Sequence, residues 1–180
     1  MATKVAINGF GRIGRLVARA ILSRTDHDLE LVSINDLGDV KSNALLFKRD
    51  SVHGNWKGDV GVDGDFLVVD GKRIAVTAER DPSKLPHAAQ GVEIALECTG
   101  IFTTKDKASA HLTAGAKRVI ISAPGTNVDR TVVFGVNHDA LTADDIVISN
   151  ASCTTNCLAP LAKVLNDAIG IESGFMTTIH

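Results

Sequence analysis

Short apolar runs alternate with segments of helical periodicity along the first part of this chain. Residues 4–8 form a β-prone run, and residues 31–35 form a second one. Between them, apolar side chains recur on one helical face while arginines occupy another. The apolar face comprises Ile13, Leu16, Val17, Ala20 and Ile21. This order of strand, helix and strand predicts the start of an α/β fold.

The middle of the chain departs from this alternation. Residues 40–47 have a helical pattern, and residues 58–77 contain short β-prone pieces that are interrupted by Asp-Gly pairs. Asp-Gly pairs such as those at positions 63–64 and 70–71 are typical of tight hairpin turns. We therefore predict a helix followed by a small antiparallel excursion.

Regular alternation resumes in the second half of the chain. A helix is predicted at residues 104–114, and a last strand at residues 172–180 with Phe175, Thr177 and Ile179 on one buried face. The other strands of this half are predicted at residues 93–97, 118–122, 131–134 and 146–148. Together with the first half, the pattern predicts a Rossmann-type doubly wound, mostly parallel sheet.

Residues 9–14 place glycines in the pattern G-x-G-x-x-G directly after the first strand. In a dinucleotide-binding unit, Gly9 permits the tight turn, Gly11 lets a pyrophosphate approach the backbone, and Gly14 lets the helix pack on the strand. Asp36 follows the second strand, twenty-two positions after Gly14, and would accept hydrogen bonds from the adenosine ribose. Because a carboxylate repels a 2′-phosphate, we expect NAD rather than NADP.

Cys153 stands at a predicted junction between a strand and a helix. The N-terminus of a helix carries partial positive charge, which favours the thiolate form of a cysteine placed there. Small Ala151 and Ser152 leave room for a substrate carbon, so Cys153 is a candidate nucleophile. Cys98 lies in an apolar run and is expected to be an inert core residue. Cys157, one helical turn beyond Cys153, is expected to be a spectator.

The helix that follows Cys153 has two features that bear on its shape. Pro160 lacks an N–H group and crowds the preceding turn, so we expect the helix to bend or loosen near Asn156. Gly170 is expected to end the helix in the left-handed conformation.

Composition excludes several classes of protein. The 180 residues carry a net charge of −2 with both signs interspersed, which is typical neither of a nucleic-acid-binding stripe nor of a membrane-surface helix. The chain starts with a charged β-prone segment, and its three cysteines lack a disulfide-framework spacing. We expect a cytoplasmic protein with small-molecule partners, no nucleic acid and no membrane. A zinc site built from Cys153, Cys157 and His180 would lack a fourth ligand, so no metal site is predicted.

Two stretches, residues 6–15 and 149–157, closely resemble the phosphorylating glyceraldehyde-3-phosphate dehydrogenases of glycolysis. Residues 174–180 also resemble the segment that leads to the catalytic histidine of that family. The resemblance implies that Cys153 is the nucleophile that adds to the aldehyde carbon and that His180 is the base. It further implies a phosphorylated aldehyde and inorganic phosphate as substrates, NAD as cofactor, and a homotetramer.

The resemblance also implies a division of the chain. Residues 1–151 would form the NAD-binding domain, and residues 152–180 would start an α+β catalytic domain, with Ser152, Cys153 and Thr154 at the substrate. Members of the family are considerably longer than this chain. We therefore expect these residues to be a fragment that at best binds NAD and does not turn over substrate.

Further residues are assigned to the cofactor by the same resemblance. Arg12 and Ile13 would lie at the pyrophosphate, Arg80 near the adenine and Ser122 near the nicotinamide. For Arg80, the sequence pattern alone favours a solvated surface charge. Taken with the glycine motif, the predicted cofactor-binding residues are Gly9, Phe10, Gly11, Arg12, Ile13, Gly14, Asn35, Asp36, Arg80, Thr99, Gly100 and Ser122.

Two alternative functions stay open. An erythrose-4-phosphate dehydrogenase would use the same thiolate chemistry on a longer aldehyde, although Leu37 after Asp36 and Ala123 after Ser122 look more like the glyceraldehyde enzyme. A non-catalytic NAD-binding module would need the unit at residues 9–36 but would have no use for a reactive thiol. Comparing turnover on the two aldehydes distinguishes the first alternative from the glyceraldehyde enzyme. The alkylation rate of the Cys153 thiol distinguishes the second, because a non-catalytic module should have a thiol of ordinary reactivity.

Overall fold

The computed structural model describes residues 2–179, and nine strands of this part of the chain form one sheet. The strands are β1 (Thr3–Asn8), β2 (Leu29–Asn35), β3 (Val60–Asp63), β4 (Phe66–Val69), β5 (Lys72–Thr77), β6 (Ile94–Glu97), β7 (Arg118–Ile121), β8 (Arg130–Thr131) and β9 (Val147–Ser149). The α-helices are α1 (Arg12–Ser23), α2 (Val40–Lys48), α3 (His87–Gln90), α4 (Lys105–Ala108), α5 (Ala110–Thr113) and α6 (Cys153–Ile169). Short 3₁₀ turns occupy Pro82–Lys84 and His138–Ala140.

The strand order is β3-β4-β5-β2-β1-β6-β7-β9-β8. All neighbouring strands are parallel except the pairs β3–β4 and β4–β5. From β1 the chain passes through β2 to the edge strand β3 and comes back through β4 to β5, and it then crosses to the other side of β1 to place β6, β7 and β9. This reversal creates a crevice between the carboxyl ends of β1 and β6, which is where open α/β sheets bind ligands. The predicted doubly wound, mostly parallel sheet is confirmed.

The central strand β1 has a continuous apolar run because side chains pack on both faces of the sheet, Val5 and Ile7 in one core cluster and Ala6 in another. In β1, the consecutive residues Val5, Ala6 and Ile7 are all buried. Phe47 of α2 is also buried, and its ring stacks on the ring of Phe10 with the centroids 6.2 Å apart. This packing holds the end of β1 against α2 and so places the turn that carries the glycine motif.

The antiparallel excursion is confirmed. Strands β3, β4 and β5 form a meander at one edge of the sheet, joined by turns at the two Asp-Gly pairs. Gly64 and Gly71 have φ values of 58° and 79°, a region in which a Cβ is disfavoured. Asp70 also has a positive φ of 49°, which Asp tolerates better than most residues.

Two predicted elements differ in the structure. The helix expected at residues 104–114 is divided into α4 and α5, since Ser109 bonds its hydroxyl to the Lys105 carbonyl and the next turn tightens. The strand expected at residues 131–134 is wrong beyond Thr131. There the side-chain oxygen of Asn137 accepts a hydrogen bond from the Val133 amide at 2.8 Å, which turns the chain away from the sheet.

The last predicted strand is also wrong for the part that the structure describes. Residues 171–179 form no strand and are exposed, and Phe175 is among the most exposed apolar side chains. A strand needs a neighbour to satisfy its backbone, and none of the described strands lies beside this segment. His180 lies outside the described residues.

Helix α6 begins at Cys153 as predicted, and it continues past Pro160 without interruption. Gly170 ends the helix with a φ of 79° and a ψ of 146°. The positive φ agrees with the predicted left-handed conformation, but the ψ lies outside that region, so the prediction for Gly170 is wrong. Its amide still bonds to the Asn166 carbonyl at 2.9 Å. None of the α6 residues is buried against the rest of residues 2–179. Within the same described residues, no helix is long and apolar enough to cross a bilayer.

Candidate functional site

The crevice at the switch point is bounded by the loops that follow four strands. It has a volume of about 510 Å³. Its lining residues are Asn8, Gly9 and Gly11 after β1, Asn35, Asp36 and Leu37 after β2, Glu79 and Arg80 after β5, and Cys98, Thr99, Ile101 and Phe102 after β6. A larger groove of about 770 Å³ lies beside α1 and Trp56, away from these strand ends. The topology favours the first as a ligand site because backbone groups and polar side chains converge there.

The three glycines of the motif have different surroundings. Gly9 has a φ of 90°, and a Cβ at this position would lie 2.8 Å from the Thr99 amide nitrogen. At Gly14, which is buried, a Cβ would lie 2.0 Å from the Gly9 carbonyl oxygen. At Gly11, no atom of the described chain lies within 4 Å of a built Cβ. Gly9 and Gly14 are therefore required by packing, whereas Gly11 faces open space where a ligand can approach.

The N-terminus of α1 opens beside the crevice. Gly11 is its N-cap, and within the described chain no side chain caps the helix and its first turn carries no acid. The first amides of a helix point outward with partial positive charge, so an uncapped start attracts an anion. This arrangement fits the pyrophosphate of a dinucleotide.

Asp36 is held in a defined position next to this helix start. One carboxylate oxygen accepts a hydrogen bond from the Phe10 amide at 2.8 Å, and the other accepts one from the Gly38 amide at 2.8 Å. The side chain of Phe10 is itself in the core and does not line the crevice, so Phe10 contributes through the hydrogen bond that its amide makes to Asp36. The carboxylate keeps free lone pairs, which can accept hydrogen bonds from hydroxyl groups.

Asn35 fixes the loop that carries Arg80. Its side-chain nitrogen donates to the Asn8 side chain and to the Glu79 carbonyl, each at 2.8 Å. Its oxygen accepts from the Glu79 amide and from the Thr77 hydroxyl, also at 2.8 Å. Because this network orders the loop, exposed Arg80 lies at the crevice rather than on an unrelated surface.

The remaining predicted cofactor residues lie outside the lining of the crevice. Arg12 and Ile13 are exposed on the first turn of α1. Arg12 pairs with Asp50 at 3.1 Å. Hydrogen bonds from the His53 and Val52 amides, followed by the pairing with Arg12, hold the pKa of Asp50 well below its usual range.

Gly100 and Ser122 occupy the turns at the ends of β6 and β7. Ser122 is half-buried. Burial raises the pKa of Cys98 to about 11, which fits the inert role expected for this cysteine.

Cys153 is exposed on the first turn of α6. The N-cap is Ser152, whose hydroxyl oxygen accepts from the Thr155 amide at 3.0 Å. Ala151 before it has a φ of 58°, an uncommon value for a residue with a Cβ, so the strand turns sharply into the helix. Cys153 therefore combines solvent access with the field of a 17-residue helix. Thr154 is half-buried beside it, and Cys157 is exposed one turn later.

The thiol and the crevice lie at the same edge of the sheet. Strands β1, β6, β7 and β9 are adjacent and parallel, so their carboxyl ends, including the one that leads to Cys153, lie on one side. With strands about 4.8 Å apart, β9 is about 14 Å from β1 across the sheet. An extended ligand that starts at the glycine turn could follow this edge past Ser122. The predicted pairing of Cys153 with His180 stays a prediction.

Three buried polar residues at these strand ends were not predicted from the sequence. Asn8 and Glu97 end β1 and β6, and Ser149 ends β9. Ser149 accepts from the Ala151 and Gly125 amides at 3.1 and 3.0 Å, which fixes the turn before Cys153. A polar residue at the end of an apolar run is the signal that could have revealed all three.

The strand order, the glycine turn and the acid after β2 together define a dinucleotide-binding domain of the α/β class. Residues 3–105 match the family model for the NAD binding domain of glyceraldehyde 3-phosphate dehydrogenase, and residues 152–180 match the model for its C-terminal domain. The chain belongs to the glyceraldehyde-3-phosphate dehydrogenase family.

Curated relatives agree with the family models. The chain is 68% identical to glyceraldehyde-3-phosphate dehydrogenase of Zymomonas mobilis and 65% identical to that of Xanthobacter flavus, with 100% of this chain covered in both. Over 99% of this chain, the identity to glyceraldehyde-3-phosphate dehydrogenase of Clostridium pasteurianum is 59%. The alignments cover 53–54% of these relatives, so the chain spans about half their length.

Proposed function

We propose that this chain binds NAD in the switch-point crevice and that the full-length protein oxidises glyceraldehyde 3-phosphate in the presence of inorganic phosphate. One observation carries the proposal. The open space at Gly11, the uncapped start of α1 and the fixed carboxylate of Asp36 converge on one crevice. These groups match the pyrophosphate and the adenosine ribose of a dinucleotide, and the carboxylate favours NAD over NADP.

The proposed chemistry begins at Cys153. Its thiolate adds to the aldehyde carbon as the C=O π bond breaks, and the oxygen takes a proton from the imidazolium of His180, which gives a thiohemiacetal with a hydroxyl group. His180 then takes the hydroxyl proton back, the C–H bond of the same carbon breaks with loss of a hydride, and the carbonyl re-forms in a thioester. NAD, when bound, supplies the hydride acceptor. Inorganic phosphate then attacks the thioester carbon, the C–S bond breaks, and the acyl phosphate leaves while Cys153 returns to the thiolate.

The exposure of α6 supports the proposed domain boundary between residues 151 and 152. Leu161 and Val164 are 57% and 66% exposed, although both have the apolar character of core residues. We infer that residues 152–180 start the catalytic domain and that α6 packs against sequence which the longer relatives contain. Ser152 and Thr154, next to Cys153, would contact the substrate there. A homotetramer is part of the same proposal.

A titration and an activity assay on the protein at its full natural length test the proposal. NAD should bind with higher affinity than NADP, and turnover with glyceraldehyde 3-phosphate should require phosphate. Cys153→Ser should bind NAD like the unmodified protein and lose turnover. Faster turnover with erythrose 4-phosphate than with glyceraldehyde 3-phosphate would instead support the sibling activity, and NAD binding without any turnover would support a non-catalytic module.

A further inference from the structure

A buried carboxylate lies directly beneath the crevice. Glu97, the last residue of β6, is 1% exposed. One of its oxygens accepts hydrogen bonds from the Thr99 amide, at 2.8 Å, and from the Thr99 hydroxyl. The other accepts from the Asn8 side-chain nitrogen at 2.6 Å and faces Nε2 of His111 at 3.0 Å. The carboxylate is thus surrounded by donors, as a buried charge requires.

A pair of buried histidines continues this network away from the crevice. Nδ1 of His111 lies 3.1 Å from Nε2 of His87, and both rings are almost fully buried. Burial, together with His111, lowers the pKa of His87 to about 4, so His87 is neutral at physiological pH. Because a carboxylate only accepts, Nε2 of His111 carries the proton that it donates to Glu97.

The network also joins the loops of the crevice to one another. Asn8 precedes the glycine turn, and its side chain both donates to Glu97 and accepts from Asn35. Asn35 in turn holds the loop that carries Arg80. Thr99, which Glu97 holds directly, lies so near Gly9 that a Cβ on Gly9 would be 2.8 Å from the Thr99 amide nitrogen. Asn8 and Asn35 therefore link the loops after β1, β2 and β5, and Glu97 joins the loop after β6 to them.

We propose that Glu97 is a positioning residue for the cofactor: it holds the turn at Thr99 and the turn at Gly9 in the geometry that binds NAD, with His111 supporting its orientation. The inference rests on the proposed NAD binding. Stability alone does not explain a charged group in the core, since apolar side chains of similar volume often stabilise a protein as well as buried charged groups do. Three of the four groups that donate hydrogen bonds to the Glu97 carboxylate belong to Thr99 and Asn8, and both of these residues line the crevice.

The substitution Glu97→Gln tests the inference in the full-length protein. Glutamine keeps the shape of the side chain but replaces one acceptor with a donor, so it cannot serve both Thr99 and Asn8. We expect the Kd for NAD to rise by about ten-fold or more, the effect of losing a hydrogen bond to a charged group. We also expect faster amide hydrogen exchange at Thr99 and Gly9 in the absence of NAD, with the rest of the sheet unchanged.

Glu93→Gln is the matched control. Glu93 precedes β6 at its other end, and its carboxylate pairs with Lys117 at 2.9 Å near the surface. This variant should change the Kd for NAD by less than about two-fold, because an exposed ion pair contributes little. A folded Glu97→Gln protein whose NAD affinity and whose amide exchange both match those of Glu93→Gln would overturn the inference.

A second pair of variants applies if Glu97→Gln does not fold. His111→Gln keeps a donor toward Glu97, whereas His111→Leu removes it. We expect the leucine variant to bind NAD more weakly than the glutamine variant, and equal affinities would contradict the positioning role. Amide exchange is measured without NAD, so it tests whether Glu97 holds the two turns independently of whether NAD binds in the crevice. An unmodified protein that fails to bind NAD would refute the proposed function and this inference together, even with the turns at Thr99 and Gly9 well protected.

Discussion

A Cβ on Gly14 would lie 2.0 Å from the carbonyl oxygen of Gly9, so helix α1 and the turn before it are in backbone contact. In an ordinary helix, replacing glycine with alanine stabilises by about 1 kcal/mol. Here the overlap is with backbone that cannot rotate away, and it outweighs that gain. We predict that Gly14→Ala lowers the free energy of unfolding by about 2 kcal/mol or more, measured by urea denaturation.

Gly11→Ala is the counterpart at the same turn. A Cβ here meets no atom of the described chain within 4 Å, and the residue has a negative φ of −66°. We predict a change in unfolding free energy below about 1 kcal/mol, together with a clear loss of NAD affinity, because the methyl group enters the space proposed for the pyrophosphate. Unchanged NAD affinity would place the cofactor elsewhere.

Asp36 is predicted to set the choice between the two nicotinamide cofactors. Asp36→Asn keeps an oxygen that can accept from the Phe10 amide but removes the negative charge that opposes a 2′-phosphate. The ratio of the Kd values for NADP and NAD should fall by about ten-fold, as measured by calorimetric titration with each cofactor. Asp39→Asn, at the N-cap of α2, is a nearby control that keeps its capping function and should leave the ratio unchanged.

The three cysteines should differ in their rates of alkylation by iodoacetamide at neutral pH. Cys153 and Cys157 are both exposed, but only Cys153 lies at the start of the helix, so it should react faster. Cys98 should react slowest, because burial raises its pKa to about 11 and leaves little thiolate at neutral pH. Mass spectrometry of the labelled peptides gives the three rates. Equal rates at Cys153 and Cys157 would favour a non-catalytic NAD-binding module.

His87 should make stability depend on pH in the mildly acidic range. Burial, and then His111, lower its pKa from 6.5 to about 4 in the folded state. Between these values the unfolded chain holds a proton that the folded chain lacks, so stability falls as the pH falls through this range and is fully present above it. Replacing His87 with Gln should reduce this slope by up to about 1.4 kcal/mol per pH unit, as followed by urea unfolding at a series of pH values. Identical slopes in the two proteins would contradict the prediction.

The local sequence pattern predicted those elements that are stabilised by interactions between residues near one another in the chain. The first strand, helix α1 and the hairpin turns follow from apolar periodicity and from glycines at positions that need positive φ. The glycine motif and Asp36 could be recognised because the turn, helix and following strand impose a fixed spacing. The strand at residues 131–134 failed because the Asn137 side chain, four residues further on, accepts the backbone hydrogen bond of Val133, a side-chain interaction that apolar periodicity does not reveal.

The amino-acid order by itself determined the α/β class, the glycine turn with its acid, and the position of Cys153 at the start of a helix, because each is encoded in local periodicity or in a fixed motif spacing. Only the tertiary structure decided that Thr99 packs against Gly9 and that Glu97, Asn8 and His111 share one buried network. Gly9 and Thr99, like Asn8 and Glu97, are far apart in the chain and meet because β1 and β6 are neighbours in the sheet, and His111 joins them from α5. Apolar periodicity identifies strands but does not encode which strands pair.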